Sequence, residues 1–207
     1  MNITEKDIQF YLKNGYVHIP NFLSQQEVSL LKNSIHDVIK ETSLPQVIKP
    51  HIKYMGTKYF LDSVNQTKLY FEGKCVEDGK LTAPAEKAVH KIGHGIHVEV
   101  PAVRDITFSD KMKKSVKALT GFDSAKILQS MFLLKQASVG EASPIHIDES
   151  YLMTSPPGKV AGVWIALDDS LVSNGCLEFL PGSHRTHVVN KTWTRKSKQH
   201  EPGHEWE

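Results

Sequence analysis

Hydrophobic residues recur at helical spacing in three segments of the chain, each preceded by a hydroxyl side chain that can cap a helix. The three capping residues are Thr4, Ser24 and Ser109. Gly15 and Gly121 follow the first and third segments and can adopt the left-handed conformation that ends a helix. The second helix must end before Pro45. The pattern therefore predicts three amphipathic helices. The longest is opened by the capping box Ser24–Glu27.

Shorter apolar runs separated by turn residues predict the strands. They lie at residues 16–19, 68–71, 127–136, 162–167 and 176–180. The last of them follows the dipeptide Asn174-Gly175, which suits a tight connection between strands. Because three of the five runs follow the third helix, the sequence predicts an α+β chain with a β-rich second half, built as a sandwich or barrel.

Composition limits the class of protein. The chain has 207 residues, of which 40% are hydrophobic and 23% charged, and its formal net charge is +2. These values are typical of a globular domain. They argue against a dedicated nucleic-acid-binding protein, which needs a concentrated basic surface. The longest apolar run, 160–167, is too short for a membrane span, so we expect none.

The two cysteines suggest a reducing compartment. Cys75 and Cys176 lie far apart in the chain and match no paired metal or redox spacing. Two free thiols are the simplest interpretation, and they favour a cytoplasmic location. A peroxisomal location stays open.

One pair of side chains suggests a metal site. His146 and Asp148 follow Pro144 on a segment that we expect to be extended, where residues two apart project to the same side. An imidazole and a carboxylate placed in this way are two of the three ligands of the 2-His-1-carboxylate triad that holds Fe(II). His97 and Glu99 form a pair of the same chemical type and spacing, so spacing alone does not choose between them.

The segments that follow His146 and Asp148 add context. Residues 163–169 read VWIALDD, and residues 174–184 read NGCLEFLPGSH. Together with the His-x-Asp motif at 146–148, and in this order, the two segments resemble the phytanoyl-CoA dioxygenase family of Fe(II)- and 2-oxoglutarate-dependent oxygenases. The likeness begins near the N-terminus and continues to about residue 190, so it covers almost the whole chain.

The resemblance implies a fold and a set of site residues. The implied fold has N-terminal helices packed on a double-stranded β-helix, or jelly roll, in a domain at 1–190 that is followed by a polar tail at 191–207. The implied iron ligands are His146 and Asp148, and the implied 2-oxoglutarate contacts are Lys91, Met131 and Trp164. A lysine supplies a cation for the dicarboxylate, while methionine and tryptophan supply apolar walls.

The chain departs from the family in its last residues. The resemblance implies a later strand that carries a second iron histidine, followed by an arginine for 2-oxoglutarate. No part of 191–207 fits that pattern, although His187, His200 and His204 are late histidines. Only two or three strands are predicted after Asp148, too few for an eight-stranded jelly roll. We therefore expect an incomplete core and a truncated form that is weakly active or inactive.

The function that the resemblance implies is that of an Fe(II)- and 2-oxoglutarate-dependent dioxygenase of the hydroxylase type. Its substrates would be O2 and a small molecule, either an acyl-CoA or another lipid-like compound. One alternative is a non-catalytic jelly-roll binding module. Another is a zinc hydrolase that uses His146, Asp148 and one of the late histidines. Succinate release and metal content distinguish the three functions.

Overall fold

The computed structural model describes residues 3–186 and the backbone of residues 193–195 and 204–206. The α-helices are α1 (Glu5–Asn14), α2 (Gln25–Glu41), α3 (Lys58–Asp62), α4 (Ala85–Ala88), α5 (Ile96–Glu99), α6 (Pro101–Thr107) and α7 (Asp110–Thr120). The strands are β1 (Thr67–Phe71), β2 (Val76–Glu77), β3 (Lys80–Leu81), β4 (Val89–His94), β5 (Ser130–Leu133), β6 (Trp193–Arg195) and β7 (His204–Trp206). Short 3-10 helices lie at His51–Tyr54, Gly73–Cys75, Asp148–Ser150, Val172–Asn174 and Ser183–Arg185.

The three predicted amphipathic helices are confirmed as α1, α2 and α7. Thr4 and Ser24 each form a capping box, in which the cap side chain accepts from the third helical N–H and the third side chain accepts from the cap N–H. The hydroxyl of Ser109 accepts from the N–H of Met112 at the start of α7. Gly15 and Gly121 end α1 and α7 with positive φ angles, as predicted.

The main sheet has the strand order β1-β4-β5, and both pairings are antiparallel. Its fully buried side chains include Leu69, Phe71, Val89 and Ile92. These side chains pack in one cluster with apolar residues of α2 and α6. The core therefore lies where the sheet meets these helices, and it holds β4 in place. None of the helices within the described residues is long and apolar enough to cross a bilayer.

The β-structure is smaller than the sequence predicts. The run at 68–71 is confirmed within β1, and the run at 127–136 contributes only the four residues of β5. The predicted strands at 16–19, 162–167 and 176–180 are wrong, because these segments form no ladder. A strand needs a neighbour to satisfy its N–H and C=O groups, and these runs find none among the residues that the structure describes.

The α+β class is confirmed, but the described part of the chain shows only small sheets. Besides the three-stranded sheet, β2 pairs with β3 and β6 pairs with β7. Several apolar side chains after residue 160, among them Val163, Leu177 and Phe179, are more than 40% exposed, whereas Ile165 and Leu167 pack against the core. His187 and His200 lie outside the described residues, as does most of the predicted tail at 191–207. His204 begins β7, of which only the backbone is described.

Residues 182–184 cover the C-terminal end of α1. The N–H of Gly182 donates to the carbonyl of Asn14 at 2.8 Å, and Nε2 of His184 donates to the carbonyl of Leu12 at 3.1 Å. A Cβ atom at Gly15, where φ is +82°, would lie only 2.4 Å from Nδ1 of His184. A Cβ atom at Gly121, where φ is +70°, would have no neighbour within 4 Å.

We expect Gly15→Ala to lower the melting temperature more than Gly121→Ala. Both changes place a Cβ atom in a left-handed conformation, which costs about 1–2 kcal/mol. Only Gly15→Ala must also displace the His184 ring from the end of the helix. Thermal unfolding of the two variants measures the difference. Equal losses would show that the contact between α1 and residues 182–184 contributes nothing to stability.

Candidate functional site

His146 and Asp148 lie where an extended segment enters the 3-10 helix Asp148–Ser150. Nε2 of His146 is 3.2 Å from Oδ1 of Asp148. The two side chains therefore converge, as their spacing predicts. Slightly more than half of each side chain is exposed to solvent, so the pair lies at the surface of the described residues.

The hydrogen bonding of His146 suits a metal ligand. Its Nδ1 lies 2.8 Å from the carbonyl oxygen of Pro144, which only accepts, so Nδ1 carries a proton. In the neutral imidazole, Nε2 then directs its lone pair toward the carboxylate of Asp148. A nitrogen lone pair and a carboxylate oxygen repel each other at 3.2 Å unless a proton or another cation lies between or beside them. Metal-binding histidines commonly donate their other ring N–H to a carbonyl in this way, so the pair fits a divalent metal.

Lys91 and Met131 lie on neighbouring strands of the main sheet. Lys91 pairs with Leu133 across β4 and β5, and Gly93 pairs with Met131. Residues two apart in a strand share a face, so Lys91 and Met131 are diagonal neighbours on one face of the sheet. A Cβ atom at Gly93 would lie 3.2 Å from the Cβ atom of Met131. The glycine therefore leaves space on this face between the side chains of Lys91 and Met131.

The surroundings of Lys91 suit an anionic ligand. Its Nζ lies 4.9 Å from the centre of the Tyr70 ring, and burial lowers the pKa of Lys91 to about 8. The lysine–carboxylate ion pairs formed within the described residues involve other lysines. Burial, and then the charge of Lys91, lower the pKa of His94 to about 4. This surface therefore offers a cation beside aromatic rings and a neutral imidazole.

Trp164 is 49% exposed and lies on a segment without regular structure. That segment passes beside the candidate iron ligands, since a Cβ atom at Gly162 would lie 3.6 Å from Oδ2 of Asp148. The structure thus places the Trp164 segment near Asp148. Among the described residues, the aromatic ring over which Lys91 lies is that of Tyr70 and not that of Trp164.

Aromatic packing connects the segment after Asp148 with the surface around Lys91. The ring of Tyr151 packs edge to face on that of Phe60, with centroids 6.4 Å apart. Phe60 in turn packs against Tyr70 and His94. One aromatic layer thus extends from Tyr151, three residues after Asp148, to the Tyr70 ring over which Lys91 lies.

The competing pair His97 and Glu99 does not converge. Nδ1 of His97 lies 2.6 Å from the hydroxyl of Ser130, whereas the carboxylate of Glu99 accepts from the backbone N–H of Thr67. Both residues lie in α5, where positions two apart face different directions. The extended backbone at His146 therefore distinguishes two pairs that are equivalent in sequence.

A further cluster of potential ligands was not predicted. One ligand atom from each of His51, Glu72 and His90 lies within 4.8 Å of the other two. Nδ1 of His90 is 3.0 Å from Oε1 of Glu72, whose side chain is completely buried. These residues are distant in sequence and follow no ligand spacing, so only the register of β1 and β4 and the position of the 3-10 helix His51–Tyr54 reveal them.

Comparison with known proteins identifies the family. The chain matches the phytanoyl-CoA dioxygenase (PhyH) family over residues 11–207. It belongs to the phytanoyl-CoA dioxygenase family. This match confirms the resemblance that the motifs at 146–148, 163–169 and 174–184 indicate.

Relatives of the phytanoyl-CoA dioxygenase family occur in animals and plants. Phytanoyl-CoA dioxygenase domain-containing protein 1 homolog from Caenorhabditis briggsae is 35% identical over 184 residues, which cover 86% of this chain and 64% of the relative. Phytanoyl-CoA dioxygenase domain-containing protein 1 from Mus musculus is 32% identical over 212 residues, with coverages of 97% and 72%. Phytanoyl-CoA dioxygenase from Arabidopsis thaliana is 31% identical over 194 residues, with coverages of 92% and 68%. The chain thus spans 64% of the length of the nematode relative.

Family membership carries general properties. Members of the phytanoyl-CoA dioxygenase family are in general Fe(II)- and 2-oxoglutarate-dependent oxygenases that act on small molecules with O2. Their fold is a jelly roll, whereas the described residues of this chain form only sheets of two and three strands.

Proposed function

We propose that the protein is an Fe(II)- and 2-oxoglutarate-dependent dioxygenase of the hydroxylase type, with His146 and Asp148 as iron ligands. The observation that carries the proposal is the geometry of this pair. Nε2 of His146 faces Oδ1 of Asp148 at 3.2 Å, and Nδ1 is held by the carbonyl of Pro144. Two adjacent ligands on one side of a metal leave its other positions for a chelating co-substrate and O2.

The side chains of the site have separate tasks in this proposal. Fe(II) and 2-oxoglutarate, when bound, supply the oxidation, in which O2 converts 2-oxoglutarate to succinate and CO2 and adds one oxygen atom to the substrate. His146 and Asp148 hold the metal. Lys91 binds a carboxylate of 2-oxoglutarate through its ammonium group, and Met131 and Trp164 provide apolar surfaces that limit access of water. The proposed substrate is a small molecule, either an acyl-CoA or another lipid-like compound.

We further propose that this 207-residue form turns over 2-oxoglutarate weakly or not at all. Within residues 3–186, no third histidine, cysteine or carboxylate joins His146 and Asp148. Two protein ligands hold Fe(II) less firmly than three. Succinate formation by the purified chain, supplied with Fe(II), 2-oxoglutarate and O2, measures the residual activity. Ester hydrolysis without 2-oxoglutarate would instead support a zinc hydrolase.

Binding of 2-oxoglutarate to the Fe(II)-loaded chain is expected to weaken about tenfold between pH 7 and pH 9. The pKa of Lys91 is lowered to about 8 by burial. Its charged fraction therefore falls from about nine tenths at pH 7 to about one tenth at pH 9. Raising the pH removes the cation that attracts the dicarboxylate. Anaerobic calorimetry at the two pH values measures the change.

The variant Lys91→Met tests the assignment of this pH dependence. It is expected to weaken 2-oxoglutarate binding at pH 7 and to abolish the difference between pH 7 and pH 9. Lys68→Met is the matched control, because Lys68 also lies over an aromatic ring, that of Tyr59 at 5.3 Å. If the two variants behave alike, or if Fe(II) has no influence on binding, the proposed co-substrate site is wrong.

A further inference from the structure

The cluster of His51, Glu72 and His90 is assembled from three separate segments. His51 begins a 3-10 helix, Glu72 directly follows β1, and His90 lies in β4. The pairing of β1 with β4 changes register at His90, because Tyr70 pairs with Lys91 while Phe71 pairs with Val89. His90 is therefore the extra residue of a β-bulge, a feature that redirects a side chain.

The separations in this cluster are close to those of an occupied metal site. The ligand atoms of His51, Glu72 and His90 lie within 4.8 Å of one another. Two ligands on a tetrahedral Zn²⁺ lie about 3.4 Å apart, given bonds of about 2.1 Å. The rings of His51 and His90 stack with centroids 4.0 Å apart, so one of the two rings must rotate before both nitrogens can bind the same ion. Glu141 lies outside this group of three, but its Oε2 is 3.7 Å from Nδ1 of His51, so a movement of its side chain would add a fourth ligand.

One nitrogen of the cluster has an unmet hydrogen-bonding capacity. Nδ1 of His51 is buried and has no hydrogen-bond partner among the described residues. Burial, and then the neighbouring His90, lower the pKa of His51, which favours the neutral ring that a metal requires. A buried polar atom without a partner in a native structure points to a bound water or ion. This nitrogen faces the carboxylate of Glu141, where a cation would satisfy both groups.

The charges around the cluster favour a divalent cation. Glu72 is completely buried, with Oε1 near His90 and Oε2 accepting from the backbone N–H of Glu141. Two carboxylates and two imidazoles would be balanced by a charge of +2. The positive charge of Lys91 opposes binding of a cation and also lowers the pKa of His51. Its Nζ, however, lies over the ring of Tyr70.

We propose that His51, Glu72 and His90, with Glu141 as the fourth ligand, bind a divalent transition metal, best matched by Zn²⁺. Two nitrogens and two carboxylate oxygens suit its tetrahedral preference. The site shares no residue with the candidate iron pair. A bound ion would fasten the 3-10 helix and the segment around Glu141 to the main sheet, so its role is structural.

The test uses the chain with both candidate iron ligands replaced, His146→Ala and Asp148→Ala. These side chains are half exposed, so their loss leaves the buried core intact. Titration of this metal-free variant with Co²⁺ is expected to give one equivalent of visible ligand-field absorption, which Zn²⁺ then displaces. Zn²⁺ is also expected to raise the melting temperature of the variant.

Adding His51→Ala to this background is expected to weaken Co²⁺ binding at least tenfold. Adding His97→Ala, which removes a histidine outside the cluster, is the matched control and is expected to change nothing. Far-UV circular dichroism checks that each variant is folded. Glu141→Gln, at a partly exposed side chain, provides a second test if His51→Ala unfolds the chain.

Two results would overturn the metal site. One is the absence of Co²⁺ binding by the variant that lacks His146 and Asp148. The other is unchanged binding after His51→Ala and Glu141→Gln, which would leave Glu72 and His90 as a buried ion pair. Failure of the iron proposal would be recognised differently: the unmodified chain would form no complex with Fe(II) and 2-oxoglutarate.

Discussion

Replacing His146 with alanine is expected to weaken formation of the Fe(II)–2-oxoglutarate complex by at least about 100-fold. The substitution removes the imidazole whose Nε2 faces Asp148 and leaves a single carboxylate for the metal. Loss of groups that only orient a metal ligand already costs 10–100-fold, so loss of a ligand is expected to cost at least as much. The visible charge-transfer band of the chelated complex, titrated anaerobically, measures the effect.

His97→Ala is the matched control for this experiment. His97 stands in the other histidine–carboxylate pair of the same spacing, but its ring is hydrogen-bonded to Ser130 and faces away from Glu99. The band is therefore expected to stay unchanged in this variant. The readout must be the chelate band, since Fe(II) alone could also enter the cluster at His51. A normal band in His146→Ala would exclude His146 as an iron ligand.

Replacing Phe71 with alanine is expected to lower the free energy of unfolding by about 3–5 kcal/mol. Phe71 is completely buried in the cluster formed by the main sheet and the helices. The change removes the transfer free energy of the ring and leaves a cavity that the surroundings fill only in part. Since small domains are stable by about 5–15 kcal/mol, this is a large share of the total.

Phe108→Ala makes the same chemical change at a side chain that is 47% exposed. Its expected cost is about 1 kcal/mol or less, because little area is lost from the interior. Denaturant unfolding of both variants gives the comparison. Similar losses for the two phenylalanines would mean that the sheet around β1 and β4 is not the stabilising centre of the chain.

The helices were predictable because their signals are local. The capping residues Thr4, Ser24 and Ser109 satisfy N–H groups only a few positions away. The strands were less predictable, since an apolar run does not reveal whether a partner is available. Segment 68–71 found β4, whereas 162–167 and 176–180 remain unpaired in the described structure.

In the candidate site too, the features set by neighbouring residues were predictable and those set by strand pairing were not. The convergence of His146 and Asp148 followed from their spacing on extended backbone, and the same spacing at His97 failed because that segment is helical. That Lys91 and Met131 share a face depends on the register between two strands 40 positions apart. No pattern in the sequence relates these strands.

The sequence by itself determined the family, the amphipathic helices and the pairing of an imidazole with a carboxylate at His146 and Asp148. Each of these depends on residues near one another in the chain or on motifs read in order. Tertiary structure alone decided which apolar runs become strands, and it brought His51, Glu72 and His90 together. The reason is physical: hydrogen-bonded ladders and ligand clusters join distant residues, and their energies depend on distances in space.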